Sequence, residues 1–211
     1  VSKAVGIQLA KLGALVMSGI KIKDLALPNI SNNRPYFSVK EAVFPFSKFP
    51  EVDVLLGPEM KSTGEVMGFG KTFGEAYFKA QRAAGVILPK EGNVFISVRD
   101  HDKEPICEVA SELIDMGFKI YATSGTFNYL ADAGVVCSKI NKVKDGHPHI
   151  VDMIKNNEVH LIINTTEGAR SIKDSFSIRK EAQNHKISLT TTVSGAKAFC
   201  KAIKFIDNFG A

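Results

Sequence analysis

At 211 residues the chain is long enough to bury a sizeable core and to hold one or two domains. Hydrophobic residues make up 45%, mean hydropathy is +0.02, and no run of 18 apolar residues exists, which excludes a transmembrane helix. The net charge of +5 lies in residues 1–90, with 12 Lys/Arg against 7 Asp/Glu, while residues 91–211 hold 15 of each; no basic face of the kind a nucleic-acid binder needs is present.

The chain opens at Val1, with no initiator Met and no signal-peptide pattern, as expected of a fragment of a longer chain or of a trimmed one. Cys107, Cys137 and Cys200 are odd in number, far apart and set in apolar segments, the pattern of reduced core thiols. Residues 3–17 carry Val5, Leu9, Leu12 and Val16 at helical spacing and predict one helix ended by Gly19. A short helical turn at 24–27, a strand at 36–44, an irregular loop at 45–60 and a strand at 65–68 follow. Thr72 and Glu75 form a capping-box pattern for a helix over 72–84. These elements do not alternate as a domain of their own should. They read as the tail of a domain (1–85), joined through a linker at 86–92 to a second unit at 93–211.

In that second unit strands at 94–98, 118–123, 135–140, 159–164 and 187–190 alternate with helices at 104–116, after Thr126, at 149–155, 173–184 and 195–205. Short apolar strands interleaved with helices predict an α/β fold, a five-stranded parallel sheet doubly wound by helices. Ligands of such sheets bind beyond the carboxyl ends of the strands. Those ends carry Arg99 and Lys103; Thr123 and Thr126; Asn141, Lys142 and Lys144; Asn164, Thr165 and Thr166; and Thr190, Thr191 and Thr192. Ser124-Gly125-Thr126 reads as a tight turn into a helix start, where unpaired N–H groups and the dipole favour an anion. Taken alone the turn is equally an ordinary strand-to-helix turn with a Thr cap. Taken together, the strand ends predict a phosphate held between Lys103 and Lys142, with Thr hydroxyls around it and Asn164 reading a base or ribose.

No catalytic set stands out. Asp102 and Asp145 each neighbour a Lys, and His147 and His149 flank Pro148 without a nearby Cys or carboxylate cluster, so no metal site is expected. No GxxxxGK[ST] loop occurs.

The segment KEAVFPFSKFPEVDVLLGPEMKSTGEVMG resembles the end of the second ATP-grasp synthetase unit of the carbamoyl-phosphate synthase large subunit. YATSGT, NKVKDGHPHI and LIINTTEG resemble its C-terminal regulatory domain, of methylglyoxal-synthase-like fold. The resemblance implies part of a cytoplasmic ligase that makes carbamoyl phosphate for arginine and pyrimidine synthesis. ATP, Mg or Mn, and K would be held upstream of Val1, and a glutaminase small subunit would be the partner. This stretch would carry no catalytic residues, no cofactor and no membrane contact of its own. The family's regulatory domain binds UMP, an inhibitor, and IMP, an activator, and the matching positions are Lys103, Thr123, Thr126, Lys142, Asn164 and Thr166. Ornithine contacts match Glu41, Phe44, Leu56 and Thr191. Phe44, Thr190 and Ala169 depart from the bacterial pattern, where a smaller aliphatic residue, an Asp and an Arg stand. Two rival readings remain. One is an independent phosphate lyase, although the GGDQQ-type motif of methylglyoxal synthase is absent. The other is a domain that only packs.

Overall fold

The computed structural model describes residues 1–27, 35–46 and 52–209. The predicted first helix is two: α1 (Ser2–Val5) and α2 (Leu9–Met17). Gly6 divides them with φ 71, a left-handed conformation that ends α1 and that few other residues adopt. The predicted turn of helix at 24–27 sits slightly earlier, as a 3-10 turn at Ile22–Asp24. Strands β1 (Phe37–Val43) and β2 (Gly64–Gly70) pair antiparallel, with Phe37 opposite Gly70 and Val43 opposite Gly64. Helix α3 (Phe73–Ala83) lies against this pair. Its cap differs from the prediction in one bond. Thr72 Oγ1 accepts from Glu75 N as expected, but the Glu75 carboxylate reaches one residue further back, to Lys71 N at 2.7 Å.

The sheet that follows is parallel throughout, in the order β5-β4-β3-β6-β7. Its strands are β3 (Asn93–Ser97), β4 (Lys119–Ala122), β5 (Ser138–Lys139), β6 (Leu161–Asn164) and β7 (Ser188–Thr190). β5 keeps only two of the six residues predicted for it. The connecting helices are α4 (Lys103–Asp115), α5 (Ser124–Asp132), α6 (Ile150–Lys155), α7 (Gly168–Asp174), α8 (Phe176–Asn184) and α9 (Val193–Phe209). The helix predicted at 173–184 is broken at Ser175 into α7 and α8.

Alternation along the strands makes the sheet two-sided. On one face Val94, Ile96, Leu161 and Ile163 pack with Ile106, Leu113, Leu130, Phe199 and Ile203 from α4, α5 and α9. On the other, Phe95 and Ile162 pack with Ile150, Ile154, Ile178 and Ala182 from α6 and α8. The stretch read as a linker is packed down: Leu88 joins the first core cluster, and Ser188 Oγ donates to Ile87 O at 2.7 Å. α3 also rests on α9, with Phe78 and Phe205 ring centroids 5.9 Å apart and Gly74 close against the Lys201 carbonyl. The β1–β2 unit is therefore joined to the sheet domain by packed side chains.

No described helix is long and apolar enough to cross a membrane. All three cysteines are free; only Cys200 is fully buried, and that burial pushes its thiol up to about 12.

Candidate anion site at the carboxyl edge of the sheet

The sheet order reverses at β3 and β6, because the chain runs β3, β4, β5 to one side and then crosses to β6 and β7 on the other. The carboxyl ends of β3 and β6 therefore border a crevice, the place where doubly wound sheets take ligands. Ser97 ends β3 and Asn164 ends β6, opposite each other in register.

Thr123 and Thr126 are both buried, held from below by β3. Thr123 Oγ1 lies 3.0 Å from Ser97 Oγ, and Thr126 Oγ1 accepts from Val98 N at 3.1 Å. Ser124-Gly125-Thr126 is not a turn leading to a helix but the first turn of α5 itself, with Thr123 as its N-cap. The first helical hydrogen bond runs from Phe127 N to Thr123 O at 2.7 Å, so the N–H groups of Ser124, Gly125 and Thr126 have no acceptor within the helix. Thr123 makes no side-chain cap to them either. Lys103, at the start of α4, reaches over this end: its Nζ would stand 3.6 Å from a methyl group on Gly125. A cation beside the positive end of a helix is unfavourable alone. Asp100 offsets it from the solvent side, 2.7 Å from Lys103 Nζ, and its carboxyl is held below the usual range by that hydrogen bond. The N–H groups have no acceptor within the helix, and the ammonium, paired on its solvent side with Asp100, keeps its remaining hydrogens for an acceptor placed between them.

The other predicted residues are placed less closely. Asn164 is buried and engaged: its Nδ2 donates to Ser97 O at 3.4 Å and its Oδ1 accepts from Arg179 at 3.4 Å. Thr165 Oγ1 accepts from Arg99 N at 3.1 Å, and Thr166 beside it is half-buried. Lys142 follows β5 and is exposed; its charge is felt by Asp174, whose carboxyl is held low chiefly by Lys144. No hydrogen bond or ion pair among the described residues links Lys142 to Lys103 or to α5.

Glu41 and Phe44 lie at the end of β1 and just beyond it. Burial pushes the Glu41 carboxyl up, its hydrogen-bond partner is Gln81, and Tyr77 nearby is pushed up to about 12 by its own burial and by Glu41. The Phe44 ring stacks on Phe46 at 5.1 Å. Leu56 is exposed, and Thr191 is half-buried after β7. No hydrogen bond or ion pair among the described residues ties Thr191 to Glu41.

One expectation changes. His147 and His149 do have a carboxylate beside them: Asp152 Oδ2 lies 2.7 Å from His147 Nδ1, and the three side chains offer donor atoms within 4.8 Å of one another. The sequence hid this because Asp152 is three residues into α6. His149 Nδ1 accepts from Asp152 N, and Asp152 Oδ2 accepts from His149 N at 2.9 Å, so this pair closes a capping box at the helix start.

Two residues went unread in the sequence. Ser97 is the polar end of an apolar strand, a weak signal that was there to be seen. Arg179 carried none. It sits in α8 beside Ile178 like any surface charge, yet it is 1% exposed and pairs with Asp53, 126 positions away.

A family model described as "MGS-like domain" matches residues 105–191. Those residues form an MGS-like domain. Beyond it, the chain is homologous along 97% of its length to bacterial proteins described as "Carbamoyl phosphate synthase large chain". It is 55% identical over 210 residues to that of Pseudomonas syringae pv. tomato, 56% over 207 residues to that of Pseudomonas aeruginosa and 51% over 207 residues to that of Xanthomonas campestris pv. campestris. In each case it spans 19% of the relative's length. Among solved structures, one described as "Crystal structure of ForH" superposes with a TM-score of 0.39 at 17% identity, covering 57% of this chain and 82% of that one. That likeness is too slight to bear on the site.

Proposed function

We propose that the MGS-like domain binds a nucleoside monophosphate of the UMP or IMP type at the head of α5 and thereby regulates a carbamoyl phosphate synthase of which this chain is the C-terminal part. The observation that carries the reading is the donor pocket. The N–H groups of Ser124, Gly125 and Thr126 lack helical acceptors, and the Lys103 ammonium stands over Gly125. A phosphate supplies the acceptors that the N–H groups lack and a negative charge for the helix end and for an ammonium whose present partner, Asp100, lies on the solvent side. In this reading Lys142 and Thr166, which follow β5 and β6, are recruited when the anion binds.

Regulation fits the way the domain is attached. The segment between β1 and β2 is bound to α8 through Asp53 and Arg179, and Gln183 Nε2 donates to Phe46 O. In this reading residues 1–85 are the tail of the synthetase unit and 93–211 the effector domain. ATP, its metal ions and the glutaminase partner belong to the remainder of the large chain and to the holoenzyme. Glu41 suits the ammonium of ornithine, because a half-buried carboxylate with no cation in hydrogen bond among the described residues gains by acquiring one. A proton-abstracting lyase is less well supported. Asp100, the acid nearest the donor pocket, is held low by Lys103, whereas a general base is best poised near neutrality.

Calorimetric titration with UMP, IMP and inorganic phosphate tests the reading. Saturable heat that disappears in Lys103→Gln supports it; a folded chain giving no heat at millimolar ligand rejects it. Formation of methylglyoxal from dihydroxyacetone phosphate would favour the lyase.

A further inference from the structure

Arg179 heads the described residues that are both large and shut off from solvent. The donor pocket does not touch it, and α8 needs no guanidinium to pack. Its hydrogen bonds run to three parts of the chain. Nε and Nη2 hold the two oxygens of Asp53 at 2.7 and 2.5 Å. Nη2 also donates to Ile172 O at 2.9 Å, and Nη1 donates to Asn164 Oδ1 at 3.4 Å. Asp53 itself is fixed by Leu55 N, which donates to its Oδ1 at 3.2 Å.

These bonds differ in strength. A buried charge is tolerated when it is paired and hydrogen-bonded, and a bidentate Arg–carboxylate pair is the strong, directional form. The two bonds to Asp53 are of that kind. Desolvation pushes the Asp53 carboxyl up, but the Arg179 and Leu55 hydrogen bonds outweigh it and hold it low. Asp53 therefore fixes the plane of the guanidinium. The Nη1 that remains then fixes Asn164. With Oδ1 turned to Arg179, the amide has its Nδ2 turned to Ser97 O at 3.4 Å, toward the carboxyl edge of β3. Both Asn164 bonds lie at the long limit for hydrogen bonds, so a ligand offering a closer acceptor takes Nδ2 with little loss.

We infer that Arg179 is a positioning residue of the strand-end site. It holds the Asn164 carboxamide as a donor toward the ligand, and Asp53, in the segment between β1 and β2, holds Arg179 in turn. Asn164 thus selects an acceptor on the nucleoside part of the ligand. That selection and the order of the segment around Asp53 depend on one guanidinium. The nature of the ligand rests on the nucleotide reading above; the link from Asp53 to Asn164 does not.

The experiment has a ligand arm and a ligand-free arm. In the first, the folded 211-residue chain and its Asp53→Asn and Arg179→Lys variants are titrated with UMP and with inorganic phosphate. Loss of one neutral hydrogen bond from a mis-set Asn164 amide predicts UMP weakened by roughly two- to tenfold while phosphate, held by Lys103 and α5, binds as before. Equal weakening of both probes, or of neither, overturns the inference. In the second arm, the Asn164 side-chain amide is followed by NMR without ligand. The two Nδ2 protons are expected to be slowly exchanging in the wild type and to lose protection in Asp53→Asn. Asn164→Ala is expected to raise exchange at Leu55 N–H at the far end. If neither UMP nor phosphate binds the wild type, the nucleotide reading fails and this second arm decides the inference alone. An Asn164 amide indifferent to Asp53, with a Leu55 N–H indifferent to Asn164, overturns it. Should either substitution at the ion pair prevent folding, Asn164→Ala read at Leu55 N–H decides between the two outcomes.

Discussion

Replacing Gly125 with alanine separates stability from binding, because the two respond in opposite directions. Gly125 lies in the first turn of α5 and does not have the positive φ that would strain a side chain. The new methyl meets only Lys103 Nζ at 3.6 Å, an ordinary contact. Alanine is favoured over glycine by about 1 kcal/mol inside a helix, and by roughly half of that near its start. The variant should therefore unfold about 1–2 °C higher. The same methyl occupies the space between the free N–H groups and the Lys103 ammonium, where the phosphate would sit. Each charge-assisted hydrogen bond lost costs about 1.5–3 kcal/mol, so UMP affinity should fall at least about tenfold. Thermal unfolding gives the first quantity and calorimetric titration the second. A chain that is stabilised and still binds UMP as tightly as the wild type would refute the placement of the anion. A destabilised chain would refute the reading of Gly125 as a strain-free helix position.

Gly74→Ala should press a methyl into the backbone carbonyl of Lys201, where no side chain can give way, and cost about 1–3 kcal/mol by forcing α3 from α9; urea unfolding measures it, and a neutral result would mean the two helices are not in contact. Ile163→Ala opens a cavity between β6 and the α4/α9 layer and should cost about 2–5 kcal/mol in the same assay. The His149 backbone N–H, aided by the His147 ring, holds the Asp152 carboxyl below its usual range. Its contribution to stability is thus full above the unfolded carboxyl's pKa of about 3.9 and is lost as pH falls through the lower folded value. Asp152→Asn should lower stability at neutral pH and flatten the acid limb of a stability-against-pH curve below about pH 4. Glu41 has the opposite sign. Its raised carboxyl favours the folded state at low pH and opposes it as pH rises through the folded value, so Glu41→Gln should be relatively more stable at about pH 7 than at about pH 4, measured by thermal unfolding.

The fold was legible because its information is local. Apolar strands of four or five residues alternate with helical stripes, and β3 with β6 show the two-sided burial that such runs imply. Failures came where a single residue decides the geometry. Gly6 in a left-handed conformation splits a helix whose apolar spacing runs on through it, and Ser175 splits another. Glu75 passes over Thr72 to reach Lys71 N, a choice between adjacent amides that no spacing rule distinguishes. At the carboxyl edge, the hydroxyls of Thr123 and Thr126 were visible as residue types, but not their use. Each is tied to β3, which buttresses the helix start and leaves the α5 N–H groups as the open donors. The pairing of Asp53 with Arg179 spans 126 positions and depends on how the β1–β2 unit seats on α8, so nothing near either residue announces it.

The most direct measurement is the shift of the Ser124, Gly125 and Thr126 amide resonances during titration with UMP and with inorganic phosphate. Saturable shifts at these amides with either ligand, abolished in Lys103→Gln, are the expected result. Shifts confined to other parts of the chain, or none at millimolar ligand in a folded sample, would contradict an anion at the head of α5.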